Sequence, residues 1–180
     1  KRVRVLKYPL FVKPVNGGSS IGITKVSNRC ELKDAVHVAF LHDRKAIIEE
    51  AVDGFEVGCA ILGDESPMIG EVDEIELSLG FFDNTEKYTL KTSRIHVPAR
   101  IDTNTADRIK ETAVKIYKIL GCKGYARVDM FLTEGKEIVF NEVNTIPGFT
   151  SHSRYPNMLK GIGMTFSQIV DELIKSATQE

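Results

Sequence analysis

A chain of 180 residues, 42% of them hydrophobic and 27% charged, is long enough to bury a core and has an ordinary globular composition. Its formal net charge of -1 lacks the basic excess that general nucleic-acid or membrane-surface binding needs, so neither partner is expected. No apolar run reaches the length of a membrane span, and the three widely spaced cysteines, Cys30, Cys59 and Cys122, lack metal-site spacing and read as reduced thiols of a cytoplasmic protein.

In chain order, residues 9–14 (PLFVKP) read as a strand closing at Pro14, residues 15–22 (VNGGSSIG) as a polar glycine-bearing loop, and residues 23–26 as a returning strand. Leu32, Ala35, Val36, Ala39 and Phe40 recur at helical spacing across 31–42. Strands are expected over 45–52 and 55–62, joined as a hairpin through Asp53-Gly54, with a further strand over 67–72. From Asp73 to Ile95 no clean period survives, and so long a loop in a compact domain points to function or disorder. Residues 102–121 carry the strongest helical pattern, with Ile109, Ala113, Ile116 and Leu120 as its stripe and Gly121 as its stop. A second hairpin joins 124–132 to 137–144 through 133–136, and a last helix over 165–177 opens on a capping box, Thr165 with Gln168. Strands, interspersed helices and tight hairpins together indicate an α+β fold.

The second hairpin carries chemistry. With Glu134 and Gly135 at its tip, Thr133 pairs with Lys136, Asp129 with Phe140 and Arg127 with Glu142. Alternation then puts Arg127, Asp129, Glu142 and Asn144 on one face, with Asp129 and Glu142 diagonal neighbours roughly 7–8 Å apart at Cα. Two such carboxylates repel, and a hard divalent cation with oxygen ligands relieves the repulsion. The plainer reading, a cross-strand ion pair between Arg127 and Glu142, leaves Asp129 and Asn144 without a reason. A one-residue slip would reverse the face and undo the pattern.

Lys13 ends a strand just before Gly17, Gly18, Ser19, Ser20 and Gly22, a composition that suits an anion: glycines admit close approach, and successive N–H groups and hydroxyls donate. The Walker order is absent, so this loop gains weight only beside a metal site. Glu49, Glu50 and Glu56 read, on their own, as solvated charges at strand ends. Lys87 and Tyr88 lie in the long loop, where a basic and a phenolic side chain can close over a site as a lid.

The stretches FVKPVNGGSSIG, EKY, GYARVDMF and FNEVNTIPGFTSHSRYP, in this order and spacing, resemble the D-alanine–D-alanine ligase family of the ATP-grasp fold. The resemblance implies two α+β lobes holding ATP between them, here residues 1–60 and 61–180, with a lid loop over 73–95 and a further amino-terminal substrate domain outside the chain. It implies that ATP phosphorylates one D-alanine and that the amine of a second D-amino acid attacks the acyl phosphate. By residue, it implies Lys13, Ser19, Ser20 and Lys87 on the phosphates, Glu49 and the backbone near Val52 on adenine, and Glu56 on the ribose. Asp129, Glu142 and Asn144 would hold two Mg²⁺ ions, for which Mn²⁺ can substitute. Arg127 and the Gly148 N–H would stabilise the oxyanion, Ser153 and Arg154 would grip the second substrate's carboxylate, and Tyr88 would close the site. Arg154 and Tyr155 after the serine, together with a lid tyrosine, are similar to the G-type vancomycin-resistance ligases, which join D-alanine to D-serine. D-Alanine–D-alanine ligation, another ATP-grasp carboxylate–amine ligation, a non-catalytic nucleotide module and a purely structural hairpin domain are the alternatives. The resemblance further implies a homodimer for the full-length protein, small molecules as its partners, and poor turnover by the 180-residue chain alone.

Overall fold

The computed structural model describes residues 5–77 and 93–178. The described residues form two compact units, one of residues 5–53 with Leu77 and Ser93, the other of residues 54–76 with 94–178. Strands, flanking helices and antiparallel strand pairs in both units make it the α+β protein that its sequence indicates.

In the first unit, β1 (Leu10–Pro14) lies between β2 (Thr24–Val26) and β3 (Ala46–Glu50). The pleat sends Leu10 and Val12 to one side, where they meet Val26 and the Ala35 and Ala39 face of α1 (Leu32–Phe40). Phe40, expected on that face, is exposed because it falls at the helix end beyond the packed turn.

The second unit is a five-stranded sheet in the order β6 (Ser93–His96), β5 (Met68–Leu77), β4 (Gly54–Leu62), β7 (Tyr125–Thr133), β8 (Ile138–Asn144). One face packs Val57, Cys59, Ile61, Val128 and Met130 against α2 (Thr103–Ile119) through Ile109, Ala113 and Tyr117. The opposite face packs Ala60 and Leu62 against Tyr155, Met158 and Leu159 of α3 (Arg154–Gly161) and Ile169 of α4 (Phe166–Thr178). Asp102 caps α2 by accepting the Thr105 N–H at 2.9 Å, and Thr165 and Gln168 bond reciprocally as the capping box requires. Gly121, at φ +65°, stops α2.

Several expectations are corrected. The hairpin through Asp53-Gly54 does not form: β3 pairs with β1, while both edges of β4 are taken by β5 and β7. The division between units accordingly falls after Asp53, since a boundary after residue 60 would cut through the single strand β4. Strand structure continues through Asp73 to Leu77 and resumes at Ser93, so the segment 73–95 is not all loop. The α2 stripe turns to Tyr117, whose hydroxyl donates to the Gly63 carbonyl at 3.1 Å, and leaves Leu120 exposed at the cap. The helix α3 gave no periodic signal, because its start, Arg154-Tyr155-Pro156, is buried on all three side chains.

Cys30, Cys59 and Cys122 are free thiols, and burial pushes the Cys59 thiol up to about 12, out of reach of thiolate chemistry. No helix among the described residues is long and apolar enough to cross a membrane.

Ile109 is wholly buried at the centre of the α2–sheet contact, so Ile109→Ala should lower unfolding free energy by about 2–5 kcal/mol, read as a fall in the denaturant midpoint at unchanged slope.

Candidate functional site

The β7–β8 hairpin departs from its expected register twice. At the turn, Thr133 N–H bonds the Glu137 carbonyl and Lys136 adopts φ +58°, giving a three-residue loop in place of two. The N-terminal end of α2 holds this turn: Lys136 Nζ reaches Asp102 at 2.8 Å, and Arg108 Nη2 donates to the Lys136 carbonyl at 3.1 Å. Leu132 therefore faces Ile138 and Met130 faces Phe140, a pairing that carried on unbroken would set Glu142 against Val128 on the α2 side. A bulge at Asn141 adds a second slip, so Asp129 faces Glu142 directly and Arg127 faces Asn144. Two reversals restore the face, and the four residues share one side of the sheet as expected, in closer register than the diagonal inferred from sequence.

Their bonding departs from the plainer ion-pair alternative. Arg127 turns to Asp129, with Nε at 2.8 and 3.1 Å from the two carboxylate oxygens and Nη2 at 2.7 Å. Asn144 Nδ2 donates to Asp129 at 2.7 Å as well. Arg127 and Asn144 thus account for Asp129, and among the described residues Glu142 has no ion-pair partner.

The same face holds a second guanidinium. Gly58 stands opposite both Asp73 on β5 and Asp129 on β7, making a row of Asp73, Gly58, Asp129 and Glu142 across four strands. Arg154, the first residue of α3, lies over the glycine. Its Nε and Nη2 donate to Asp73 at 2.7 and 2.8 Å, its Nη1 donates to Glu56 at 2.7 Å, and Nη1 stands 3.4 Å from Asp129. A Cβ at position 58 would come within 2.5 Å of Arg154 Nη2, so only glycine leaves the guanidinium its seat. Burial works against the Arg154 charge, but Asp73, Asp129 and Glu56 overcome it and hold the guanidinium pKa well above its usual value. Arg154, expected to grip a substrate carboxylate, bonds Asp73 and Glu56 and lies beside Asp129 of its own chain. Asp73, wholly buried, is the residue that sequence reasoning missed; its signal was an acid next to Val72 in a segment read as aperiodic.

Beyond β8 the loop is pinned by Phe149, whose ring meets Tyr155 and Phe166 with centroids 5.9 and 5.2 Å away. This brings Gly148 against Ser153: a Cβ on the glycine would stand 3.0 Å from Ser153 Oγ, which itself accepts the Thr150 N–H at 2.9 Å.

In the first unit, Lys13 and Glu49 lie on the sheet face away from α1 and pair at 2.6 Å. Ser19 and Ser20 both take left-handed conformations, φ 52° and 59°, in the loop after β1, and Val52 follows β3 outside any strand. Lys87 and Tyr88 lie outside the described residues.

The donor chemistry of the second unit fits a hard divalent cation at Glu142. Asp129 and Asn144 beside it supply oxygen, the Arg127 guanidinium on this face being turned to Asp129, and the amide N–H that Asn144 commits to Asp129 leaves its carbonyl oxygen as a ligand. No group of three or more His, Cys, Asp or Glu converges among the described residues. A cation here would thus be held by two carboxylates and an amide and complete its shell from phosphate or water, as Mg²⁺ does.

Residues 1–175 match the family model for the D-ala D-ala ligase C-terminus. The solved structure of the VanG D-Ala:D-Ser ligase from Enterococcus faecalis is 63% identical, with a TM-score of 0.88 over 97% of this chain and 51% of its own. The vancomycin B-type resistance protein VanB of Enterococcus faecalis is 49% identical over 98% of this chain and 53% of its own length. D-Alanine–D-alanine ligase B of Clostridium tetani is 44% identical over 98% and 50%. The chain spans about half the length of the curated relatives it matches.

Removing the Arg154 cation strands the wholly buried Asp73, while Asp129 keeps Arg127, so Arg154→Met should destabilise the protein by about 3–5 kcal/mol, measured by denaturant unfolding. Gly58→Ala should act in the same direction by unseating the guanidinium, whereas Ala60→Gly would serve as a control that leaves it in place.

Proposed function

The chain belongs to the D-alanine–D-alanine ligase family, with its α+β ATP-grasp fold, and on that premise we propose that it is the nucleotide- and metal-binding part of an ATP-dependent D-alanine:D-amino acid ligase. The observation that carries this reading is the placement of Glu142 opposite Asp129, with Asn144 on the same face, by the bulge at Asn141.

In this reading Asp129, Glu142 and Asn144 hold Mg²⁺, which when bound offsets charge on the phosphates of ATP. Arg127 keeps Asp129 oriented through Nε and Nη2 and offers the remaining guanidinium N–H groups to the oxyanion that develops as an amine attacks the acyl phosphate. The Gly148 N–H is the second oxyanion donor. Ser153 Oγ, held in place by Thr150, meets the carboxylate of the second substrate. Arg154 keeps Asp73, Glu56 and Asp129 in their places and so acts through them.

Lys13, Ser19 and Ser20 take the nucleotide phosphates, and Glu49 and Val52 the adenine. Glu56, which also accepts from Arg154, is the ribose partner. The assignments of Lys87 to the γ-phosphate and Tyr88 to site closure rest on the sequence resemblance. D-Serine as the second substrate is supported by the VanG neighbour, and D-alanine, favoured by the Clostridium tetani relative, is the second reading. Cell-wall precursor synthesis with altered vancomycin sensitivity, in the cytoplasm, is the physiological setting that follows.

The test is a product assay on the intact protein, offered ATP, Mg²⁺, D-alanine and equal D-serine and D-lactate. D-Alanyl-D-serine should dominate at neutral pH. D-Alanyl-D-alanine alone would select the second reading, and no dipeptide would overturn both. Glu142→Gln should lower Mg²⁺-dependent ADP formation by about 100-fold or more, the size expected when metal-borne charge stabilisation is lost. Nucleotide binding that survives this change with no ADP formed by the parent protein would mark a non-catalytic module instead.

A further inference from the structure

We infer that Asp43 and His42, in the connector between α1 and β3, are positioning residues that hold the phosphate-facing loop of residues 15–22 in its binding shape. The inference rests on the nucleotide reading of that loop given above.

The loop is held at both ends by this one connector. At its start, Asp43 Oδ2 accepts both the backbone N–H of Asn16, at 2.7 Å, and the side-chain Nδ2 of Asn16, at 2.9 Å. The other carboxylate oxygen accepts the Arg44 N–H at 2.6 Å and stands 3.3 Å from the Lys45 nitrogen. The carboxylate is thus a staple with one oxygen in the loop and the other in its own connector. Beside it, Val15 N–H bonds the Lys45 carbonyl at 3.1 Å. At the far end, Gly22 has φ +73° and rests on the His42 ring: a Cβ there would come within 2.6 Å of Cδ2.

Between these two anchors the backbone takes a shape it would not keep unaided. Ser19 and Ser20 are consecutive left-handed residues, each disfavoured for a side chain with a Cβ, and the Ile21 N–H closes the turn onto the Gly18 carbonyl at 3.1 Å. Such backbone persists where surrounding contacts over-determine it, and it is the kind that turns successive N–H groups toward an anion. Asp43 touches no phosphate in this account. It spares the loop the ordering that phosphate binding would otherwise require, and that ordering would appear directly as lost affinity.

The experiment compares the affinities of the intact protein for ATP, ADP and adenosine by titration calorimetry and competition. Asp43→Ala should weaken ATP and ADP by about tenfold and leave adenosine, which carries no phosphate, unchanged. Asn16→Ala removes only the side-chain arm of the staple. It should weaken ATP by about threefold and add nothing on top of Asp43→Ala, because both act on one contact. This milder variant keeps the inference testable should Asp43→Ala fail to fold. Parallel loss of ATP and adenosine affinity would reduce Asp43 to general structure and overturn the inference, as would unchanged ATP affinity in both variants. Lys13→Met separates the two levels. If it weakens ATP while Asp43→Ala does not, the positioning role alone fails; if it leaves ATP affinity unchanged, the nucleotide reading of this loop fails and takes the inference with it.

Discussion

Asp73 and Asp129 are carboxylates taken almost wholly out of water, two strands apart in one row of a sheet, and a single guanidinium lies across the gap between them. An isolated buried carboxylate would lose its charge or unfold its surroundings; one that shares a fork-shaped cation keeps it. The arrangement needs a strand position with no side chain beneath the cation, which Gly58 supplies, and a helix that delivers an arginine at its first residue, which α3 supplies. Tyr155, Met158 and Leu159 hold that helix against the sheet, so the apolar packing on this face fixes where the charge sits. The geometry of the candidate site therefore depends on a core contact and an ion cluster that are made by the same short helix.

Neither the turn nor the bulge would be informative alone. A turn lengthened by one residue turns Glu142 toward α2, where a carboxylate would meet Val128 and its apolar neighbours. The extra residue at Asn141 turns it back, and the energetic reason is plain: the alternative buries an acid in the larger of the two cores. Because Lys136 is tied to Asp102 and Arg108, the first slip cannot relax without disturbing the cap of α2. The bulge is then the cheaper place for the strand to recover its polar face.

The sequence made the hairpin, the capped final helix, the glycine stop of α2 and the one-sided set of Arg127, Asp129, Glu142 and Asn144 legible. These rest on local rules: alternation, capping and turn chemistry. It failed where burial and polarity part company. Asp73 and Glu74 sit inside the protein because Arg154 and Arg100 neutralise them, and a pattern that codes acids as exposed dissolves there. The partners of Arg154 within the fold were illegible for the same reason, since Asp73, Glu56 and Asp129 reach it only through the sheet. The pairing of β3 with β1 is a long-range choice that the Asp53-Gly54 dipeptide, a sound turn signal, could not veto. The register was inferred with one slip too few at the turn and one too few at the bulge, and the two errors cancelled in facing while leaving the partners wrong.

What decides the account is whether a cation sits where the end of β8 runs beside the start of β7. Crystals of the intact protein grown with Mn²⁺ and ADP, measured at the manganese absorption edge, would show it as an anomalous peak. The account predicts density within about 2.1–2.3 Å of a Glu142 oxygen, with Asp129 or the Asn144 carbonyl oxygen completing the protein's share. Manganese bound with nucleotide but remote from Glu142, or nucleotide bound with no anomalous density at all, would contradict it.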